Sequence, residues 1–102
     1  MRIITKSRLL EFGENFSQAR KPLAEWFSVV SKAQWDSFDD LRKIYSSADQ
    51  VKVKSGHTVT VFNIGGNKFR LIAAIHYNNR KIFILSIMPH DEYEKDVWKE
   101  TF

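Results

Sequence analysis

The hydrophobic pattern of this chain changes its period once, near Val51, and that change limits the folds open to it. Before Val51, apolar residues recur at intervals of three and four, as in Leu23, Trp26, Phe27 and Val30, which is the stripe that a helix buries. After it, a period of two runs through four segments joined by short turns, VKVK, TVTVFNI, KFRLIAAIHY and KIFILSIM. The sequence therefore predicts an α+β domain, in which an N-terminal strand (RIIT) and helices pack on a twisted, mainly antiparallel sheet.

Capping residues and prolines predict where the helices begin. Ser7 is expected to cap a first helix, and Pro22 fits the first turn of a second. Ser37 and Asp40 form an S-x-x-D capping signal for a third. Pro89 ends the last strand, and the segment DEYEKDVWKE that follows His90 is predicted to form a short, acidic C-terminal helix that docks two aromatic side chains on the sheet, Trp98 and Phe102.

Composition bounds the class of protein. A chain of 102 residues, 43% hydrophobic, can bury one core, so we expect a single domain over residues 1–102. It has no cysteine, so neither a disulfide framework nor a thiolate zinc site is available, and its three histidines are widely spaced, which argues against a metal site. No apolar run approaches the roughly 20 residues that span a bilayer, and MRIITKSRLL lacks the apolar core of a signal peptide. A cytoplasmic protein without a membrane association is the expectation.

The charge is unevenly distributed along the chain. Residues 1–90 hold 14 Lys and Arg against 7 Asp and Glu, whereas residues 91–102 hold 2 against 5. A basic body suits a polyanionic partner such as RNA, because neutralising phosphates releases counterions. An ordinary solvated surface explains the same charge equally well, so this observation alone does not decide the function.

The stretch VFNIGGNKFR carries the most specific pattern. Gly65, Gly66 and Asn67 predict a turn, and Asn78 with Asn79 predicts the next one. The strand between them is apolar on both faces except for Arg70, so we expect a central strand with Arg70 at its end, where a guanidinium still reaches water or an anion. His90 follows at the junction between the last strand and the last helix.

The order VFNIGGNKFR, a hairpin and then IMPHDEY resembles the HigB toxins of bacterial toxin–antitoxin modules, a branch of the RelE-like ribonuclease superfamily. The resemblance runs over nearly the whole chain and is strongest from Val61 to Tyr93. It implies a RelE-like fold and an endoribonuclease that cuts mRNA, commonly on the ribosome, without a metal or other cofactor. It also implies inhibition by a HigA-type helix-turn-helix antitoxin.

Cutting RNA without a metal requires a group that deprotonates the 2′-hydroxyl, one that balances charge on the phosphate and one that protonates the leaving 5′-oxygen. Arg70 suits the phosphate, because a guanidinium offers a bidentate fork and stays charged. His90 is the best candidate for proton transfer, as acid or as base. Tyr93 lies one helical turn beyond His90, where it orients His90, stacks on a base or simply packs.

Further polar residues are weaker candidates. Asn67 is a candidate for contact with a phosphate or base edge, and Lys54 for a second acid, since Lys52 and Lys54 are expected to share a strand face. The remaining basic candidates are RNA-backbone contacts: Lys52, His57, Lys68, Arg80 and Lys81. The alternative interpretation of each of these residues is an ordinary charged side chain in contact with solvent.

One departure from the superfamily limits the transfer of catalytic roles. Many RelE-like members carry a denser basic cluster and a tyrosine near the C-terminus, whereas this chain ends in an acidic helix. A second interpretation therefore stays open, a catalytically silent module that binds RNA or a protein with the same basic face. Convergence of Arg70 and His90 at one surface favours the enzyme.

Overall fold

The computed structural model describes all 102 residues, Met1–Phe102, and contains one five-stranded sheet and four α-helices. The strands are β1 (Arg2–Ile4), β2 (Asp49–Lys52), β3 (Thr58–Ile64), β4 (Phe69–His76) and β5 (Lys81–Pro89). The helices are α1 (Ser7–Asn15), α2 (Arg20–Lys32), α3 (Phe38–Ile44) and α4 (His90–Glu94), with 3₁₀ turns at Ser17–Ala19 and Val97–Glu100.

The sheet has the order β1-β5-β4-β3-β2, which places β4 in its centre. The four strands that follow Val51 in the sequence pair antiparallel, and only β1 runs parallel to its neighbour, β5. This confirms both the predicted α+β class and the central position of the strand that carries Arg70. A strand with apolar side chains on both faces belongs there, because each face is covered.

Helices α1, α2 and α3 cover one face of the sheet and enclose the main core. Trp26 and Val30 of α2 and Leu41 of α3 are fully buried there. Alternate residues of β4 and Tyr77 directly after it point to the same side, as the sequence predicted, and join this core: Phe69, Leu71, Ala73, Ile75 and Tyr77. The burial of this apolar surface is the main stabilising contribution to the fold.

The helix starts agree with the sequence in two cases out of three. The Ser37 hydroxyl accepts a hydrogen bond from the Asp40 backbone N–H at 3.3 Å, which confirms the capping signal of α3. Pro22 lies in the first turn of α2. The prediction for Ser7 is wrong, because Lys6 occupies the cap position of α1 in a helical conformation and no side chain caps that end.

The second face of the sheet carries a smaller core, covered by residues 90–102, which we call the C-terminal segment. Trp98 packs there against Val53, Val59, Val61 and Ile72, with Phe102 at the margin. This confirms the predicted docking of both aromatic residues. The segment is not one continuous helix, however: Asp96 has a φ of 59° and separates α4 from the 3₁₀ turn Val97–Glu100.

A β-bulge shifts which residues of β5 face each of the two cores. Ile72 pairs with Ser86 while Ala73 pairs with Ile84, so Leu85 is an extra residue in β5. The bulge reverses the alternation of side chains beyond it. Ile84 therefore faces the helices, and Leu85 and Met88 face the C-terminal segment.

Candidate active site

Arg70 lies on the second face of the sheet, at the start of β4, between Asn63 of β3 and Met88 of β5. The residue is only 8% exposed. Its guanidinium donates one hydrogen bond, from Nη1 to the carbonyl of Phe69 at 3.1 Å, and forms no ion pair. The position at the strand end is as predicted, but the expected access to water is largely blocked. A nearly buried cation without a counter-ion is unusual, because desolvation of a charge is costly unless a partner compensates for it.

The ring of Tyr93 lies over this guanidinium. The Arg70 Cζ lies 5.6 Å from the centre of the Tyr93 ring, and the ring stacks on Trp98 with 5.2 Å between centroids. The Trp98 Nε1 in turn donates to the Tyr93 carbonyl at 3.1 Å. Three roles were considered for Tyr93: orienting His90, stacking on a base and packing. The contacts with Arg70 and Trp98 support packing. Burial, followed by the charge of Asp49, raises the pKa of the Tyr93 phenol, so the phenol remains a hydrogen-bond donor near neutral pH.

His90 is the first residue of α4 and is fixed by two contacts. Its backbone N–H donates to the carbonyl of Lys68 at 2.9 Å, which joins α4 to the turn that precedes Arg70. Its Nε2 lies 3.1 Å from Oε1 of Glu94, one helical turn on. Its Nδ1 is buried and has no hydrogen-bond partner. Helix α4 therefore touches both predicted residues. It begins at His90, whose backbone is bonded to Lys68 just before β4, and the ring of its Tyr93 lies over the Arg70 guanidinium.

The turn Gly65–Lys68 forms the rim of this site. Gly65 and Gly66 have φ values of 64° and 70°, a backbone region that glycine adopts at little cost. Asn67 and Lys68 follow with exposed side chains, and neither side chain makes a hydrogen bond or an ion pair within the protein. Both predicted residues thus lie at the same end of the sheet as Arg70, free to contact a ligand.

Three other candidates lie far from Arg70. Thr58, at the start of β3, is five residues along that strand from Asn63, about 16 Å at the usual rise per residue. Lys52 pairs with Thr58, and His57 is exposed in the turn beside it. Lys54 lies beyond the end of β2, so the expectation that it shares a strand face with Lys52 is wrong. Its Nζ is 3.0 Å from Oε2 of Glu100.

Arg80 and Lys81 lie at the opposite end of the β4–β5 hairpin. Lys81 pairs with His76, six residues along β4 from Arg70, which corresponds to about 20 Å. The Arg80 guanidinium donates to Asp36 at 2.8 Å and to Gln34 at 3.1 Å. The structure therefore does not bring these two residues to the site around Arg70.

The structure also brings in residues that the sequence reasoning missed. Glu94 contacts the predicted proton-transfer residue, and Trp98 supports Tyr93, although it was expected only to dock on the sheet. The spacing of four between His90 and Glu94 places two side chains on one face of a helix, so this pair was readable from the sequence. Asn63, directly opposite Arg70 in β3, had no local signal, because strand register decides its position.

The site thus combines a guanidinium without a counter-ion, an imidazole–carboxylate pair, a protonated phenol and a rim with a free lysine. Such a set binds a phosphate and moves protons beside it. No three side chains of His, Asp or Glu lie together in a way that could hold a metal ion. No helix combines the length and the hydrophobicity that crossing a lipid bilayer requires.

Comparison with known proteins places this chain in a class, the RelE-like toxins. The model of the HigB toxin family, described as the RelE-like toxic component of a toxin–antitoxin system, matches residues 19–96. This span contains β2 to β5, α2 to α4 and the residues of the site except Trp98. The chain therefore belongs to the HigB toxin family.

Curated relatives carry the same family name. The chain is 29% identical to the mRNA interferase toxin HigB of Escherichia coli K12 over 94 residues, which cover 92% of this chain and 88% of the relative. The mRNA interferase HigB of Shigella flexneri is equally similar. The mRNA interferase HigB of Escherichia coli O6:H1 is 26% identical, with 93% and 90% of the two chains covered.

Proposed function

We propose that this protein is the toxin of a toxin–antitoxin module and acts as an endoribonuclease that cleaves mRNA. The observation that carries this proposal is Arg70: a guanidinium that is 8% exposed, has no carboxylate partner and uses one of its five N–H groups in the hydrogen bond to Phe69. An RNA phosphate supplies both the missing charge and the missing acceptors. The names of the curated relatives support the same activity.

The chemistry proposed at this site is transfer of the phosphate to the neighbouring 2′-oxygen. Arg70 stabilises the negative charge that develops on the phosphate. His90 lies one helical turn from the residue that covers Arg70 and exchanges protons at Nε2, its nitrogen nearest Glu94. Tyr93 donates a hydrogen bond rather than acting as a base, because its pKa is raised. Lys68 and Asn67 contact the RNA backbone from the rim.

Access to Arg70 requires a local movement. Since Tyr93 stacks on Trp98 and lies over the guanidinium, a phosphate reaches the full fork only when the Tyr93 ring shifts. RNA bound to the ribosome is held in a fixed conformation, and such a substrate pays less ordering entropy on binding. We therefore favour ribosome-bound mRNA as the substrate and the cytoplasm as the place of action, with a HigA-type antitoxin as the inhibitor.

Induced expression in a susceptible host tests this proposal. Wild-type protein should arrest growth and produce cleaved mRNA, and Arg70→Ala and His90→Ala should abolish both at matched soluble levels. Arg80→Ala is the matched control, because Arg80 belongs to the same hairpin but lies at its far end, and it should remain toxic.

The outcomes separate the enzyme from the binding module. Growth arrest with uncleaved mRNA would favour a silent module that binds RNA or a protein through the same basic face. Arrest with cleavage that survives both substitutions would move the chemistry away from Arg70 and His90. No arrest and no cleavage by the wild-type chain would contradict the toxin assignment.

A further inference from the structure

Three basic side chains lie side by side at the end of the sheet far from Arg70. Arg2 of β1 pairs with Lys81 of β5, and Lys81 pairs with His76 of β4. Directly opposed residues of neighbouring strands point to the same face and lie about 5 Å apart. We call these three residues the basic row. Ile82, the next residue after Lys81, is buried in the main core, so the basic row points to the second face of the sheet, as Arg70 does.

The basic row has no acidic partner. None of its three side chains forms an ion pair, and Arg2 and His76 are exposed while Lys81 is partly exposed. Like charges directly opposite one another destabilise a pair of strands. Arg80, next to Lys81 in the chain, differs because it pairs with Asp36. The charge of the basic row is therefore left for an anion from outside the protein to balance.

An aromatic ring adjoins the basic row. Phe83 follows Lys81 by two residues in β5 and so lies on the same face. Its ring centroid is 5.1 Å from that of His76, with 66° between the ring planes. Phe83 is partly exposed and belongs to neither core, and the same holds for its cross-strand partners Ile4 and Ala74. This part of the second face thus offers an apolar surface beside three basic groups, outside the core that the C-terminal segment covers.

We propose that this part of the second face is a second RNA-binding site, in which the basic row binds phosphates and Phe83 stacks on a base. Basic groups beside an aromatic ring suit single-stranded RNA, because the cations follow the backbone and the ring accepts any base. A duplex keeps its bases stacked on one another, so an unpaired strand is the form that fits. The inference rests on the proposed function, since the strand is taken to be the mRNA substrate itself.

The position of the two sites on one face lets a single RNA strand reach both. His76 is six residues from Arg70 along β4, which corresponds to about 20 Å. At the rise of about 3.4 Å per nucleotide in a stacked strand, about six nucleotides cover that distance. RNA long enough to span both sites should therefore bind the wild-type protein more tightly than RNA that reaches only one.

Fluorescence anisotropy of a labelled single-stranded oligouridylate tests the site. Arg70→Met serves as the parent protein, so that the first phosphate site is removed and binding reports on the second. Arg2→Glu combined with Lys81→Glu should weaken binding at least about tenfold and lower the slope of log affinity against log salt by about 1.4, since each phosphate contact with a single strand contributes about 0.7.

The matched control for the double charge reversal is Arg8→Glu combined with Lys32→Glu. Both residues are exposed, form no ion pair and lie on helices that cover the other face of the sheet. The control therefore has the same net charge as the double charge reversal without touching the basic row. It should bind within about threefold of the parent, because exposed charges far from the RNA are screened by salt.

Phe83→Leu separates stacking on a base from simple attraction between charges. The substitution keeps an apolar side chain but removes the ring, so binding of the oligouridylate should weaken about tenfold. Inorganic polyphosphate carries the charge without the bases. Its binding should be unchanged in Phe83→Leu and should weaken in the double charge reversal.

Equal weakening in the double charge reversal and in its control would overturn the proposal, because net charge alone would then explain the binding. Unchanged RNA binding by Phe83→Leu would overturn it as well. If the double reversal does not fold, Lys81→Gln removes one charge and should lower the salt slope by about 0.7, and an unchanged slope would refute the site. All of these measurements concern binding, so absence of mRNA cleavage by the wild-type chain would contradict the proposed function and remain distinguishable from failure of the second site.

Discussion

The two ends of the β4–β5 hairpin each carry an arginine, and the two side chains have opposite environments. Arg80, at the turn, is exposed and donates to Asp36 and Gln34. Arg70, at the other end, is buried beneath Tyr93, and its guanidinium donates only to the carbonyl of the preceding residue. Arg80 has the partners expected of a surface residue that ties the hairpin to the loop before α3. Arg70 has the burial of a core residue without the partners that a buried charge needs.

The difference between the two arginines separates a residue that contributes to stability from a residue whose placement serves function. An exposed ion pair contributes little and is easily replaced. An uncompensated buried guanidinium lowers the stability of the folded protein, and such a feature is typical of a ligand-binding site. The C-terminal segment is what creates the difference, because it covers Arg70 and leaves Arg80 open.

Removal of the cover should have the largest effect on stability. Trp98 is 6% exposed and anchors the C-terminal segment in the smaller core. Trp98→Ala should therefore lower the free energy of unfolding by about 3–5 kcal/mol. Urea denaturation measures it, with Val97→Ala as a control, since Val97 is 67% exposed and should matter little. Equal losses in the two variants would mean that the segment is not anchored through Trp98.

Conservative exchange of the two arginines should separate their roles in activity. Arg70→Lys keeps the charge but loses the planar fork, so mRNA cleavage should fall about 10- to 100-fold. Arg80→Lys should cleave within about twofold of the wild type. Single-turnover rates on ribosome-bound mRNA measure both. A fully active Arg70→Lys would show that the site needs only a positive charge.

Replacement of each arginine by an apolar side chain should affect the free energy of unfolding differently. Arg70→Met removes a buried charge beside Met88 and Ile72, so the free energy of unfolding should stay the same or rise by up to about 2 kcal/mol while activity is lost. Arg80→Met should lower it by at most about 1 kcal/mol. Chemical denaturation decides the matter, and a marked loss of stability in Arg70→Met would contradict the description of Arg70 as uncompensated.

The smallest effect on stability should come from the two tyrosines near the ends of the β4–β5 hairpin, Tyr93 and Tyr77. Burial raises the pKa of both Tyr93 and Tyr77 above the ordinary value of 10.0. The folded state thus holds the phenol protons more tightly than the unfolded state, and the resulting stability is complete below pH 10 and lost as the pH rises through the folded-state pKa. Tyr93→Phe and Tyr77→Phe should each reduce the decline in unfolding free energy above pH 10, measured by urea denaturation. An unchanged decline would show that the tyrosine concerned titrates as it does in the unfolded chain.

The fold followed from local patterns to a large extent. The change of period near Val51, the glycine turn before Arg70 and the Ser37 cap each act over a few residues, and each prediction based on them is confirmed. The cap predicted at Ser7 is wrong because the chain enters α1 already in a helical conformation. The short C-terminal helix is confirmed, but it ends at Glu94 rather than running through DEYEKDVWKE, because Asp96 adopts a left-handed conformation, and Trp98 still reaches the sheet.

The site was predictable only in part. Arg70 and His90 were identified from the chemistry of single residues and from the family resemblance, and both remain proposed catalytic residues. Lys54, Arg80 and Lys81 looked equally suitable in the sequence. Register and hairpin length place them at other ends of the sheet, and a linear pattern of charges does not contain that information.

The sequence by itself determined the class of fold, the central strand, the glycine turn and the presence of a charged residue inside an apolar strand, because these depend on periodicity and on the conformational preferences of individual residues. Only the tertiary structure decided that Arg70 is buried without a counter-ion, that Tyr93 covers it, and that Lys54 pairs with Glu100 rather than lying near Arg70. Those properties arise when the C-terminal segment folds over the second face of the sheet, and contacts between such distant parts of a chain are fixed by packing rather than by local preference.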